Sequence, residues 1–261
     1  MARFTIRYNG SGFMKVDILG IAIDDLDEDA VAGIIEERLS DGRGTFIATP
    51  NPEMILLAQK DAEFRNILNS ADIKIPDGYG LKIGARILGR KLCSRATGTD
   101  LMQRICRLAG TKGLSVYLLG AEEGVARKAE ENLKKILPNL KIVGAESGGN
   151  LSALPENGIS WNNQVILAHI NAVKPDILFV ALGHRKQEKW IFENFKKLAG
   201  VKVAMGVGGA FDFYSGKMRR APLTMRRLGL EWLWRLFLEP RRYPRILAAT
   251  ILFPLACFTK K

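Results

Sequence analysis

The strongest constraint in this sequence is a series of short apolar segments that alternate with helix-length amphipathic ones. Residues 114–119, 176–182 and 201–207 lack the regular apolar–polar alternation of a half-exposed strand. Strands of that kind are buried on both faces, as in parallel sheets. Between them run stretches such as 123–137 and 186–199, whose apolar residues recur at helical spacing. Strand and helix in strict succession predict an α/β fold. We expect a Rossmann-like, mostly parallel sheet with helices on both faces.

The alternation begins at residues 16–23, an apolar β-branched strand, followed by a helix over 24–40 that opens with acidic residues. A strand at 45–49, a helix over 52–70 and a short strand at 72–75 follow. Helices are expected over 79–88 and 99–109, a strand at 141–143 and a helix over 161–173. Residues 147–160 are rich in Gly, Ser, Asn and Pro and read as a loop. After Gly216 the character changes to a basic helical stretch, 221–238, then Pro240, Pro244 and an apolar tail. We divide the chain into a leader (1–15), an α/β core (16–216) and a C-terminal helical, membrane-associating appendage (217–261). Truncation before Arg235 is expected to leave the core folded.

The 261 residues suit one large domain with an appendage, and 47% hydrophobic content is enough for a real core. Three cysteines without a C-x-x-C motif indicate neither a disulfide framework nor a thiolate zinc site. The first 13 residues lack an apolar core segment, so no signal peptide is expected. The apolar run at 246–258 is too short for a standard transmembrane helix but suits an interfacial segment.

The net charge of +12 predicts anionic partners. It is concentrated: between Lys217 and Arg245 nine basic residues face only Glu231 and Glu239. Trp232, Trp234, Phe237 and Tyr243 are interleaved with these arginines. Such a segment fits a membrane interface, a nucleic acid, or a helix docked on the core. The apolar tail favours the membrane over nucleic acid.

In doubly wound folds ligands bind beyond the carboxyl ends of the strands. There the sequence places Thr49-Pro50-Asn51, Pro76-Asp77-Gly78, Gly183 to Glu188, and Gly206-Val207-Gly208-Gly209 leading to Asp212. Asp77 reads either as a general base for a hydroxyl or as a turn residue capping the next helix. The glycine run reads as a phosphate cradle or a tight turn. It is not the dinucleotide fingerprint, because Phe211 stands where the third glycine belongs. Gln187, Asp212 and Arg95 each have a ligand-binding reading and a plain surface or capping one. Arg235, Arg242 and Arg245 carry guanidinium forks suited to phosphate. Asp24, Asp25 and Asp27 contain an Asp-x-Asp, which we read as helix-start acids and not as a metal site.

Taken in order, these segments resemble the WecG/TagA/CpsF family of bacterial glycosyltransferases. The matching residues include Thr49-Pro50-Asn51, Pro76-Asp77-Gly78, Arg95 to Asp100, Gly183 with Lys186-Gln187-Glu188, Gly206 to Asp212, Arg220-Ala221-Pro222, and Glu231-Trp232 with Arg235. The resemblance runs from about Val16 to Arg245. It implies an inverting, metal-independent enzyme with no cofactor, using a UDP-sugar donor. It further implies transfer of N-acetylmannosamine to undecaprenyl-diphosphate-linked N-acetylglucosamine, on the cytoplasmic face of the membrane, as in wall teichoic acid synthesis. Asp77 is then the base. Thr49 and Arg95 act beside it. Asn51, Gln187, Gly206, Gly208, Gly209, Asp212, Arg235, Arg242 and Arg245 bind substrate. Self-association through the core is also implied. Many members carry a small residue and Pro where this chain has His184 and Arg185, a departure beside the donor site. The apolar tail looks unusually long for the family.

Overall fold

The computed structural model describes residues 7–8, 14–93, 97–149 and 161–260. Three short strands, β1 (Arg7–Tyr8), β2 (Met14–Ile18) and β3 (Ile21–Asp24), form an antiparallel sheet. Six more make the central sheet: β4 (Thr45–Ala48), β5 (Ile73–Lys74), β6 (Ser115–Gly120), β7 (Lys141–Glu146), β8 (Ile177–Ala181) and β9 (Val203–Gly206). Their spatial order is β5-β4-β9-β8-β6-β7, and every neighbouring pair is parallel. The expected α/β class is the observed one.

Strand periodicity divides the core. Leu178 and Val180 of β8 point to one face, with Phe46, Ala48 and Ala204 of β4 and β9. Ile177 and Phe179 point to the other, with Ile47, Val203 and Met205. The first face is covered by α2 (Pro52–Lys60), α3 (Ala62–Ser70), α4 (Gly80–Ile87), α7 (Trp161–Val173) and α8 (Lys186–Asn194). The second is covered by α1 (Glu28–Ser40), α5 (Gly98–Lys112), α6 (Val125–Ile136) and α9 (Ala210–Ser215).

Two expected elements of the core are split. Residues 16–23 are a hairpin, not one strand of the main sheet. Leu19 and Gly20 both adopt positive φ, at 52° and 85°, and reverse the chain within an apolar run that periodicity cannot subdivide. The helix expected over 52–70 breaks at Asp61, whose N–H closes α2 on Leu57 while its carboxylate caps α3 at Phe64. Asp is a strong N-cap, so the break was available in the sequence.

The appendage is a chain of short helices: α10 (Leu223–Arg227), α11 (Glu231–Leu238), α12 (Tyr243–Leu247), a π turn (Ala248–Leu252) and α13 (Phe253–Thr259). The single helix expected over 221–238 is interrupted at Gly229, with φ 76°. The tail does more than meet an interface. Phe253 and Cys257 are fully buried in the first face of the core, against α4. A Cβ on Gly84 would lie 2.5 Å from the Phe253 ring, so α4 offers a glycine where α13 docks. Truncation before Arg235 would strip these two core side chains, so it is expected to cost the core stability as well as activity. On the outward side Leu255 and Phe258 remain exposed, at 57% and 68%. No helix among the described residues is long and apolar enough to cross a membrane.

Candidate active site

The loops leaving β4 and β9, adjacent strands, diverge to opposite faces of the sheet. That opens the crevice expected at the carboxyl edge. The two strand ends are joined where the Thr49 hydroxyl donates to the Gly206 carbonyl at 3.4 Å. Asp77 enters from the loop after β5. Its backbone N–H donates to Pro50, and its carboxylate Oδ1 accepts from Gly98 N at the start of α5, 3.2 Å away. The carboxylate therefore does not cap α4, the helix that follows it. It reaches across to the next helix, and among the described residues one of its oxygens is held.

A cavity of about 200 Å³ brings together Thr49, Asp77, Gln187, Gly208, Gly209 and Arg235. Desolvation pushes the Asp77 carboxyl above the ordinary carboxylate value, against the opposing pull of the Gly98 N–H, His184 and Arg235. Gln187 is buried and faces the protein. Its Oε1 accepts from Gly208 N at 2.9 Å, and its Nε2 donates to Glu188 Oε1 at 2.7 Å. The amide thereby fixes the glycine turn. Gly208 holds φ 52°, and a Cβ on Gly209 would stand 2.8 Å from Arg235 Nη2. Backbone and guanidinium can approach this closely because no side chain intervenes.

A second cavity, about 540 Å³, lies beyond the turn, at the carboxyl ends of β6, β7 and β8. Asp212 lines it together with Glu122, Gly183 and His184. Desolvation raises the Asp212 carboxyl, partly offset by Lys217 and Arg235. A third, about 320 Å³, is a groove walled by Tyr79 and Ile83 of the core and by Trp232, Ile246 and Pro254 of the appendage. Asn51 borders it and also caps α2, its Oδ1 accepting from Met54 N at 3.0 Å.

Arg235 lines all three cavities. Its guanidinium lies over the Phe213 ring, 5.0 Å from the centroid. Nε and Nη2 are buried and make no hydrogen bond to the protein. Buried charged donors without a hydrogen bond are costly, and a bound ligand or water is one way to satisfy them. The other two arginines are engaged: Arg242 pairs with Glu239. Arg245 Nε donates to Glu53 at 2.8 Å, and its Nη2 lies 2.8 Å from His184 Nδ1. His184 Nε2 in turn meets Asn51 Nδ2 at 3.2 Å. Glu53 and His184 thus tie the appendage to the core beside the site. Glu53 was missed in the sequence, and His184 was noted only as a departure from the family. The signal was present: His184 follows a strand end, and Glu53 sits in the first turn after Thr49-Pro50-Asn51.

Burial alone would raise the Glu53 carboxyl, but hydrogen bonds from His184 and Arg245 outweigh it and hold the value at about 2. With the folded value depressed, the tie is fully present above the ordinary value of 4.5 and is lost as pH falls toward 2. At neutral pH, Glu53→Gln is expected to speed tryptic cleavage around Arg241 and Arg245 by roughly two- to fivefold. That is the worth of a half-exposed ion pair, about 0.5–1 kcal/mol. Unchanged cleavage would show that Glu53 does not hold the appendage.

Arg95 lies outside the described residues. Asp24, Asp25 and Asp27 are employed structurally. Asp24 pairs with Lys15 and accepts from Lys74 N, Asp25 accepts from Cys93 N, and Asp27 caps α1. No group of three or more His, Cys, Asp or Glu side chains among the described residues is placed to share a cation.

The family model described as glycosyl transferase WecG/TagA/CpsF family matches residues 16–261. The match therefore extends over the apolar tail, beyond the Arg245 limit read from the sequence. Among similar proteins is an N-acetylglucosaminyldiphosphoundecaprenol N-acetyl-beta-D-mannosaminyltransferase of Bacillus subtilis (strain 168). It is 35% identical over 205 residues, covering 78% of this chain and 76% of the relative. A protein of the same name from Staphylococcus aureus (strain MRSA252) is 30% identical over 241 residues, covering 90% and 89%.

Proposed function

We propose a reaction for this chain from one premise: it belongs to the WecG/TagA/CpsF glycosyl transferase family. The reaction is transfer of N-acetylmannosamine from UDP to N-acetylglucosamine carried on diphosphoundecaprenol, the acceptor in the relatives' names. The observation that carries it is Arg235, whose buried Nε and Nη2 make no hydrogen bond to the protein where three cavities meet. A diphosphate bridging the cavity lined by Asp212 and the Asp77 cavity would satisfy those donors. The groove between Tyr79, Ile83 and Trp232 would take the acceptor from the other side.

In this reading the acceptor hydroxyl attacks the anomeric carbon from the face opposite UDP. Its proton passes to the carboxylate of Asp77. The bond from the anomeric carbon to the diphosphate oxygen breaks, and its electron pair leaves on UDP. Arg235 and the backbone N–H of Gly209 stabilise that developing charge without a metal, while the Gly208 N–H stays on Gln187. One displacement inverts the anomeric carbon. The exposed apolar side of the appendage, with Leu255 and Phe258, meets the membrane that holds the acceptor.

The test is UDP release from a panel of UDP-N-acetylhexosamines, with and without a prenyl-diphosphate-N-acetylglucosamine acceptor and with chelator present. Acceptor-dependent release from UDP-N-acetylmannosamine, insensitive to chelator, is expected. Release from a different donor would reassign the sugar, and release abolished by chelator would overturn the metal-free mechanism.

A further inference from the structure

A further cavity adjoins the site just described. It holds about 590 Å³ beside α4 and the loop that follows, and four of its lining residues are cations: Lys82, Arg86, Arg90 and Lys91. Two of them are engaged. Lys82 Nζ donates to the Cys93 carbonyl at 2.7 Å, and Arg90 pairs with Asp17 at 3.1 Å. Arg86 and Lys91 are exposed and have no carboxylate partner among the described residues. A further carboxylate on this side, Asp25, accepts from the backbone N–H of Cys93.

Position distinguishes this cluster from an ordinary solvated helix face. Tyr79 and Ile83 line both this cavity and the groove under Trp232 and Pro254. Ile83 is 44% exposed on its rim. Helix α13 packs on α4 and keeps Leu255 and Phe258 outward. A cavity lined by cations therefore adjoins an apolar helix surface and the mouth of the acceptor groove. Cations beside exposed apolar side chains are the pattern of a surface that sits at a lipid headgroup layer.

We infer that the α4 cavity is a docking site for anionic phospholipid headgroups, a contact made by the core and separate from that of the appendage. It rests on the reading that the acceptor is lipid-linked. Arg86 and Lys91 supply the charge, and Ile83 reaches the acyl boundary. Docked there, the groove opens toward the bilayer.

The experiment is co-sedimentation of the full chain with phosphatidylglycerol–phosphatidylcholine vesicles. The chain is compared with Arg86→Glu/Lys91→Glu and with the control Arg127→Glu/Lys135→Glu, on α6 at the opposite face of the sheet. UDP release with a short, water-soluble acceptor is measured in parallel. At about 1 kcal/mol per basic residue near an anionic surface, the α4 double variant is expected to bind at least tenfold more weakly. The control is expected to change less than twofold, and soluble-acceptor turnover to be unchanged in both. Equal binding of the α4 variant and wild type would overturn the site while leaving the transferase reading intact. Absence of wild-type binding to any vesicle, with soluble turnover retained, would overturn the docking contact and the membrane reading together.

Discussion

Asp77→Asn is expected to reduce turnover by about 10²–10⁴-fold, the usual contribution of a positioned general base. UDP affinity is expected to be unchanged. The amide keeps the size of the carboxyl and can still accept from Gly98 N. What it loses is the capacity to take a proton. The same environment makes a signed pH prediction. Desolvation raises the Asp77 carboxyl, so the ionised, active form appears at higher pH than for an ordinary aspartate. In wild type kcat/KM should fall as pH drops through that raised value, and the small residual activity of the variant should not. Stability should move the other way. A carboxyl raised in the folded state destabilises the fold as pH climbs past its unfolded value. Asp77→Asn should therefore leave Tm at pH 8 equal to or above that of wild type. A variant with full turnover, measured by UDP release, would remove Asp77 from the base role.

The loops that line the candidate site were legible in the sequence because each follows a buried strand and is marked by residues with few other uses. Thr49-Pro50-Asn51, Pro76-Asp77-Gly78 and the Gly206–Gly209 run all lie at one sheet edge, as the apolar strands required. Long-range pairing was not legible. Nothing local in the sequence says that Glu53 meets Arg245, 192 positions away. Nor does it say that Phe253 fills the space that Gly84 leaves on α4. The hairpin at residues 16–23 was hidden because apolar residues run through its turn, and Leu19 adopts a positive φ that its residue type does not advertise. The three arginines looked equivalent by composition. Only their surroundings separate them: Arg242 and Arg245 have carboxylate partners, and Arg235 keeps buried donors without hydrogen bonds.

That difference makes Arg235 the second position with a large expected effect. Arg235→Met should lower kcat by about 10²–10³-fold, the loss typical of removing one preorganised donor from developing negative charge. Arg235→Lys should recover only part of this, since an ammonium keeps the charge but not the fork, and it stacks less well on Phe213. The folded enzyme without ligand should respond in the opposite sense. Its buried Nε and Nη2 lack hydrogen bonds, and removing such donors relieves a desolvation penalty. Arg235→Met should thus raise Tm in the absence of UDP while shrinking the Tm gain that UDP gives the wild type. Those two shifts separate a ligand-receiving arginine from a structural one, whose loss would lower Tm and leave the UDP-induced gain in place. If the Met variant melted lower and still gained fully from UDP, Arg235 would belong with Arg245 among the ties that hold the appendage, and the diphosphate would have to be held by the glycine turn.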